Sequence, residues 1–361
     1  MIIHTSDDLA TLADRLSSQD AIALDTEFLR ERTYRAELCL LQVATRDHAA
    51  CIDPLTADSL APVLPVLAAS PPLKVLHAAR QDLEVLLPAT GLVAPVFDTQ
   101  VAAALAGYPP QVGYAELVRR MLNIELAKAH TRTDWSRRPL SAEQLEYALD
   151  DVRHLLPLHA ELTEQLAGLG RLAWLAEELR PLADAGQLVV DPEDAWRRLK
   201  GLAGLDPGRD VLARKLAAWR ERRASDRNRP RGWILDDAVL REIVLQVPRS
   251  TAALQRIPQM PESVVRNSGT DLLAMVAASE IASPPPALPK RQRPDPALTA
   301  AAKRLSEVTA TVAAELAIAP EVLATRRDLE QVARGDAGAA PLVGWRRDVV
   351  GVRLLAVAAG S

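Results

Sequence analysis

Cysteines, export signals and long apolar runs are scarce or missing in this 361-residue sequence. Its two cysteines, Cys39 and Cys51, form no Cys-x-x-Cys motif, so the sequence predicts neither a disulfide framework nor a zinc site. No apolar run is long enough to span a bilayer, and no basic-then-apolar export signal opens the chain. We therefore expect a cytoplasmic protein with no membrane partner.

Positive charge is scarce in the first part of the chain and concentrated in the last part. Residues 206–290 hold 14 Lys and Arg against 10 Asp and Glu. The first 205 residues carry a net charge of −10 and the remaining residues +6, so the whole chain carries −4. An acidic part followed by a basic part suits a metal site joined to a module that binds a polyanion.

The predicted strands lie in the first part of the chain, after a short predicted helix at 6–18, and predicted helices make up the last part. Four strands are predicted, near residues 21–28, 37–44, 48–52 and 73–77. Strands with helices packed over them predict an α/β or α+β sheet domain. From about Ser141 onwards the pattern predicts helices only, including small all-helical bundles at 207–280 and 297–359. Residues 283–296 contain six prolines and predict a semi-rigid linker between the two bundles.

The strand at 21–28 ends in an acidic pair. Four apolar residues lead directly into Asp25, Thr26 and Glu27. Because side chains alternate faces along a strand, Asp25 and Glu27 project to the same side. Two carboxylates held this close repel each other unless a cation lies between them or one takes a proton. A strand end turning into solvent is the alternative, so the interpretation depends on acids elsewhere in the chain.

Two further acidic elements follow. Asp82 lies in the first turn of a predicted helix, where an acid also complements the helix dipole. In the predicted helix 142–156, Tyr147 and Asp151 are four residues apart and share a face. Asp150 lies on the neighbouring side of this helix, and spacing alone does not exclude it.

Basic residues near aromatic ones mark two candidate nucleic-acid-binding segments. In the first, the candidates are Lys128, Arg132, Trp135, Arg137 and Arg138. A basic loop with an aromatic suits a single-stranded backbone and a stacked base. The alternative is a solvated loop with one buried Trp.

The second segment, 209–231, contains nine Arg and Lys and three acids. Its candidates are Arg220, Arg222, Arg223, Arg227 and Arg229. A basic helix can neutralise several phosphates, which makes binding salt-dependent. Solvated helix charge is the alternative.

In combination these motifs resemble the four-acid, one-tyrosine class of 3′→5′ exonucleases, and within it the ribonuclease D family. The resemblance runs through "IALDTEFLRERTY", "LHAARQDLEVL", "FDTQVAAALAG", "RTDWSRRPLSAEQLEYALDDVRHLLP" and "PEDAWRRLK". It continues into two modules similar to the HRDC domains of RecQ-type helicases and ribonuclease D. It implies a ribonuclease H-like α/β exonuclease domain, with a mixed sheet flanked by helices, followed by two small all-α helical-bundle domains.

The resemblance also implies a domain organisation. The implied segments are an exonuclease domain at 1–170, a helical connector at 171–205, a first HRDC domain at 206–282, a Pro-rich linker at 283–296 and a second HRDC-like domain at 297–361.

The resemblance assigns the catalytic set. It implies Asp25, Glu27, Asp82 and Asp151 as metal-binding acids, with Tyr147 as the catalytic tyrosine. It selects Asp151 over Asp150 because the family places its acid four residues after its tyrosine. A sister class uses a histidine five residues before this acid, where this sequence has Glu146.

The implied cofactors are two divalent metal ions, Mg²⁺ or Mn²⁺. Asp25 is implied to bridge both ions, with Glu27 and Asp151 completing the first and Asp82 holding the second. Tyr147 is implied to orient the attacking hydroxide. Phe28 is a candidate to pack against the terminal base, with a core position at a strand end as its alternative.

The implied function is a 3′→5′ exoribonuclease that trims structured RNA and releases nucleoside 5′-monophosphates. Transfer RNA precursors are the implied substrate class, and we expect a monomer. A DNA exonuclease is the first alternative, because the metal site does not read the sugar. A non-catalytic nucleic-acid-binding protein is the second, but its signature would be a missing acid, and the sequence has all four.

Overall fold

The computed structural model describes residues 2–57, 60–126, 133–202, 204–280 and 295–359. Lys128, Arg132 and nearly all of the predicted linker 283–296 lie outside these described residues. The strands are β1 (Ile2–Ile3), β2 (Ala21–Leu29), β3 (Glu37–Ala44), β4 (Ala49–Ile52), β5 (Leu73–Leu76) and β6 (Val96–Asp98).

Helices make up most of the remaining chain. The first nine α-helices are α1 (Ser6–Ser17), α2 (Leu64–Ala68), α3 (Arg80–Thr90), α4 (Thr99–Ala106), α5 (Tyr114–Leu122), α6 (Ala142–Arg153), α7 (Leu155–Gly168), α8 (Leu172–Leu179) and α9 (Ala185–Leu188). The next five are α10 (Pro207–Asp226), α11 (Arg231–Ile234), α12 (Asp237–Gln246), α13 (Thr251–Gln255) and α14 (Glu262–Ala277). The last five are α15 (Pro296–Leu316), α16 (Pro320–Leu323), α17 (Arg326–Ala333), α18 (Gly344–Arg346) and α19 (Val352–Ala359). Shorter 3₁₀ turns cover Arg180–Ala183, Pro192–Arg198 and Ala340–Leu342, and a π-helical turn covers Arg347–Gly351.

The strands form one mixed sheet in the order β1-β4-β3-β2-β5-β6. β2 pairs parallel with β5, and β5 pairs parallel with β6, whereas β3 and β4 are antiparallel. Their registers place Ala23 opposite Val75, and Leu76 opposite Asp98. The ends of β5 and β6 are therefore neighbours, and β2 continues past them, which places Asp25 and Glu27 beside the segments that follow β5 and β6.

Both faces of the sheet are covered, which explains the apolar run that opens β2. Ile22 and Leu24 point into a core formed with α1, α2 and α3. Ala23 points to the opposite face, into a core that includes Leu158 of α7. The prediction of a mixed sheet flanked by helices is confirmed. Each of the four predicted strands matches an observed one to within one residue at either end.

Contacts within the chain define two compact units. The first contains residues 1–29, 38–188 and 294–361, and the second contains Arg30–Glu37 and Val189–Arg293. The helices from α15 to α19 thus share a unit with the sheet. Leu305 and Val350 of these helices lie in the same apolar core as Ala23 and Phe97.

A buried arginine ties these last helices to the sheet within the first unit. Arg171 is 5% exposed and donates to the carbonyl oxygens of Leu105, at 2.7 Å, and Leu316, at 2.6 Å. Trp174 stacks on Trp345 with ring centroids 4.4 Å apart. Removing the last helices would therefore expose apolar surface of the sheet-containing unit.

The second unit is a helical module with its own core. Leu212 and Leu216 of α10 pack with residues of α12 and α14, including Leu240 and Leu272.

The predicted boundaries of the five segments stay predictions. No helix within the described residues is both long and apolar enough to cross a bilayer.

Candidate active site

Three of the predicted acids meet beside the second half of β2, where this strand continues past the end of β5. One carboxylate oxygen each from Asp25, Glu27 and Asp151 lies within 4.8 Å of the other two. Asp25 and Glu27 come from one face of β2, as the alternation predicts. Asp151 comes from α6, whose apolar residue Leu149 packs on β3 and β4 through Leu40 and nearby side chains.

The fourth acid, Asp82, is fixed from two sides. It lies in the first turn of α3, is 7% exposed, and accepts a hydrogen bond from the Thr26 hydroxyl at 2.5 Å. Thr26 lies between Asp25 and Glu27 in β2. The strand that carries two acids therefore also orients a third.

The turn that leads into α3 depends on Asp98, which the sequence analysis did not identify. Ala78 has a left-handed backbone, with φ of +56°. The carboxylate of Asp98 accepts hydrogen bonds from the backbone amides of Ala78, at 3.0 Å, and Ala79, at 2.8 Å. It also caps α4 by accepting from Gln100. Its position at a strand end before a helix, in "FDTQ", was the signal that could have found it.

Asp150 and Asp151 have different environments although they are adjacent. Asp151 accepts a hydrogen bond from the Tyr147 hydroxyl and lies among the strand acids. Asp150 forms an ion pair with Arg153 at 2.5 Å, and Glu146 pairs with the same arginine. Only Asp151 is therefore placed with Asp25 and Glu27.

Burial raises the pKa values of all four carboxyls, and repulsion by neighbouring acids adds to the shifts. Burial, followed by repulsion from its acidic neighbours, raises the pKa of Asp25 well above its usual range. The same causes raise the pKa of Glu27 to about 8. Burial raises the pKa of Asp151 to about 7 and that of Asp82 to about 6, although hydrogen bonds from Tyr147 and Thr26 oppose the shifts.

This donor set fits divalent metal ions. Mg²⁺ and similar hard cations prefer carboxylate oxygens, and a bound cation would offset the burial and repulsion that raise these pKa values. Asp25, Glu27 and Asp151 provide three such oxygens close enough to share one ion.

Tyr147 is supported by Trp135. Their rings stack with centroids 6.2 Å apart and planes at 27°. Trp135 is 5% exposed and packs among Cys39, Cys51 and Leu149. Burial, and then repulsion by the Asp151 carboxylate, raises the pKa of the Tyr147 hydroxyl above its usual range. The phenol is therefore neutral at pH 7 and can donate a hydrogen bond.

Comparison with known proteins agrees with this geometry. Residues 1–167 match the family model described as 3′-5′ exonuclease, and residues 209–276 match the HRDC domain. Ribonuclease D of Gluconacetobacter diazotrophicus is 41% identical over the whole chain and 93% of its own length. Ribonuclease D of Jannaschia sp. is also 41% identical, over 99% of the chain and 95% of its own length. The chain belongs to the ribonuclease D family.

Structural similarity extends over the same length. The crystal structure of Escherichia coli RNase D, described as an exoribonuclease involved in structured RNA processing, superposes with a TM-score of 0.86 at 32% identity. The match covers 100% of this chain and 98% of that one. The chain is therefore a 3′→5′ exoribonuclease, an RNA-binding enzyme of a class that uses divalent metals. The HRDC match covers the first helical module, and the second HRDC-like module stays a prediction.

The structure corrects two of the predicted RNA contacts in the exonuclease part. Trp135 is buried against Tyr147, so its ring is not available to stack on a base. Arg138 donates to both carboxylate oxygens of Asp53 at 2.6 Å and to the Cys39 carbonyl, which fixes it as a structural residue. Arg137 is 84% exposed and remains a candidate, and Phe28 is half-buried.

Most of the positive charge of the 209–231 segment is paired within the helical module. Seven of its nine cations donate to partners there: Arg209, Arg214, Lys215, Arg220, Arg222, Arg223 and Arg231. Arg220 is 5% exposed and donates to Asp237 and to the Leu235 carbonyl, so its prediction as an RNA contact is corrected to a structural role. Arg227 and Arg229 are exposed.

Arg222 and Arg223 are intermediate cases. Arg222 pairs with Glu193, and both side chains are more than half exposed. Such a pair contributes little stability, so Arg222 can exchange its partner for a phosphate. Arg223 pairs with Asp271 and packs over Trp219. Both remain candidates for RNA binding.

The adjacent acids of α6 give a matched test of the metal set. We expect Asp151→Asn to lower the hydrolysis rate by more than about a hundredfold, because losing groups that merely orient metal ligands costs about 10–100-fold. Asp150→Asn should change the rate little, since that carboxylate pairs with Arg153. Single-turnover hydrolysis of end-labelled RNA measures both. Equal losses, or the reverse order, would contradict the assignment of Asp151.

The raised pKa values predict how the stability of the metal-free protein depends on pH. Folded Glu27, Asp151 and Asp82 hold protons that the unfolded chain releases, because their folded pKa values lie above the ordinary ones. Their contribution to stability is full below about pH 4 and is lost as the pH rises towards 8. The Tm in EDTA should therefore fall between pH 5 and pH 8.

Asp25→Asn is the comparison variant for this pH dependence. Removing one buried charge should reduce the fall in Tm over the same pH range. Adding Mg²⁺ at pH 8 should raise the Tm of the unsubstituted protein more than that of the variant. Thermal denaturation followed by circular dichroism measures both, and parallel Tm profiles for the two proteins would refute the repulsion argument.

Proposed function

We propose that this 3′→5′ exoribonuclease trims the 3′ ends of transfer RNA precursors as a cytoplasmic monomer, using two Mg²⁺ or Mn²⁺ ions. The clustering of Asp25, Glu27 and Asp151 beside Tyr147 is the observation that carries the chemistry. The link of the Escherichia coli relative to structured RNA processing supports the substrate class.

The four acids divide between the two proposed ion positions. Asp25 would serve both ions, Glu27 and Asp151 would hold the first, and Asp82 would hold the second, since carboxylate oxygens are the ligands that Mg²⁺ prefers. Divalent ions bound there would activate water and stabilise the charge that develops on the attacking and leaving oxygens. Thr26 and Asp98 serve this set by orienting Asp82 and the turn before it.

Tyr147 positions the attacking oxygen in this proposal. Burial raises the pKa of its hydroxyl above the usual range, so the phenol keeps its proton near neutral pH and acts as a hydrogen-bond donor. The contact with Trp135 limits the orientations of its ring. Water attacks the terminal phosphorus, the bond to the 3′ oxygen of the penultimate nucleotide breaks, and a nucleoside 5′-monophosphate leaves.

RNA is held by groups outside the acid cluster. Phe28 follows Glu27 and is half-buried, and we propose that it packs against the terminal base. Arg137, Arg227 and Arg229 are exposed arginines suited to phosphate contacts. Trp233 is 61% exposed and offers a flat apolar face in the same helical module as the last two.

Incubation with labelled nucleic acids tests the proposed function. A transfer RNA precursor with a 3′ extension, a matched RNA with a recessed 3′ end and a DNA copy of the extension are incubated with EDTA, Mg²⁺ or Mn²⁺. We expect shortening of the first substrate from its 3′ end, only with a divalent ion, with release of nucleoside 5′-monophosphates. Faster hydrolysis of the DNA copy would favour the DNA exonuclease alternative.

Tyr147→Phe separates positioning from proton transfer. The variant keeps the ring that stacks on Trp135 but loses the hydroxyl, so kcat should fall by about 10–100-fold with little change in KM. Because the phenol is not the base, the pH profile of the remaining activity should keep its shape. Loss of the alkaline or acidic limb in the variant would show that Tyr147 transfers a proton.

A further inference from the structure

The loop between β2 and β3 belongs to the compact unit of the helical module. This segment, Arg30–Glu37, begins three residues after Glu27 and ends at the first residue of β3, yet β2 and the rest of β3 belong to the first unit. It carries the arginines Arg30, Arg32 and Arg35. None of the predicted nucleic-acid contacts lies in it.

A buried carboxylate anchors the loop. The Tyr34 hydroxyl donates a hydrogen bond to Glu221 of α10, which is 1% exposed. Arg231 donates to both oxygens of the same carboxylate, at 2.6 Å for one of them, and its guanidinium lies 4.8 Å from the centroid of the Tyr34 ring. Burying a carboxylate is costly unless it is paired and hydrogen-bonded, and here both conditions are met.

A second attachment places the loop beside the end of α10. The backbone amide of Arg35 donates to the Asn228 side chain at 3.0 Å, and its guanidinium donates to the Ser225 hydroxyl at 3.0 Å. Asn228 lies between Arg227 and Arg229 in the sequence. The loop and the turn that ends α10 therefore form one surface.

This loop–helix surface consists of four exposed arginines: Arg32, Arg35, Arg227 and Arg229. The exposed acids in the same two segments are Glu31, Glu37 and Asp226, against five exposed arginines when Arg30 is counted. The surface is therefore positive, although the protein as a whole carries −4. Arginine is well suited to phosphate oxygens, which its planar fork of donors can bind in pairs.

We propose that the loop–helix surface binds the backbone phosphates of the single-stranded 3′ segment of the RNA, and that Tyr34 and Glu221 position its loop arginines. The inference rests on the proposed function, because it concerns the same RNA. A loop that only connects two strands needs polar residues but no buried anchor. The buried Tyr34–Glu221–Arg231 contact restricts the loop instead, and so lowers the conformational entropy that ordering Arg32 on a phosphate would cost.

RNA binding by the full chain tests the surface. Binding is measured in EDTA with an Asp25→Asn protein, so that the RNA is not hydrolysed, using a stem-loop with a single-stranded 3′ tail and the same stem-loop without it. At 0.1 M salt, Arg32→Gln and Arg227→Gln should each weaken binding of the tailed RNA about fivefold and lower the log–log salt slope by about 0.7. Arg266→Gln, which removes an exposed arginine of α14, is the charge-matched control and should change neither quantity.

A double-mutant cycle tests the anchor. Tyr34→Phe removes one hydrogen bond to Glu221 and leaves the Arg231 pair, so the variant should fold, which circular dichroism checks. If the anchor positions Arg32, the Arg32→Gln loss should shrink by more than about twofold in the Tyr34→Phe background. Additive losses would overturn the anchoring role.

Three further outcomes would overturn the binding role: no loss from Arg32→Gln, an equal loss from Arg266→Gln, or equal losses with and without the 3′ tail. Trimming of the precursor is measured separately with Asp25 intact. Normal trimming with unaffected binding would refute this inference and leave the proposed function standing. Failure to trim with the expected binding losses would do the reverse.

Discussion

Electrostatic repulsion among four partly or fully buried carboxyls is the constraint around which the exonuclease part is built. Asp25, Glu27 and Asp151 are close enough for burial and proximity to hold all three pKa values high. Left to themselves, side chains under such repulsion would move apart or take up protons. The surrounding structure keeps the side chains from moving apart, and bound divalent ions would take the place of the protons.

Each acid is held by a different local device. The alternation of side chains along β2 places Asp25 and Glu27 on one face. The Thr26 hydroxyl orients Asp82 through a hydrogen bond, and α6 carries Asp151 to the same cluster. The start of α6 is fixed by a capping box, in which Ser141 and Gln144 each bond the other's backbone amide. A helix that begins at a defined residue presents its side chains in a defined register. Tyr147 and Asp151, one turn apart, therefore face the strand acids together.

Local pattern predicted these devices well where they depend on neighbours in sequence. The apolar run and acidic pair of β2, and the capping box of α6, could be read directly because strand and helix periodicity fix which side chains share a face. Spacing alone left Asp150 and Asp151 open. The structure separates them through Arg153, three residues beyond Asp150 and seven beyond Glu146.

Contacts between distant parts of the sequence were not predictable in this way. Arg138 pairs with Asp53 across 85 residues, and Arg171 reaches the Leu316 carbonyl across 145. A basic residue beside an aromatic has the same sequence pattern whether it faces solvent or a buried acid. The sequence composition therefore identified a basic segment correctly. It overestimated how many of the cations in that segment are available to bind RNA. Attraction of a polyanion by a protein of net charge −4 must come from local patches. In the 209–231 segment, seven of nine cations have partners within the helical module, so the charge that this segment leaves for RNA lies mainly on the arginines that remain exposed.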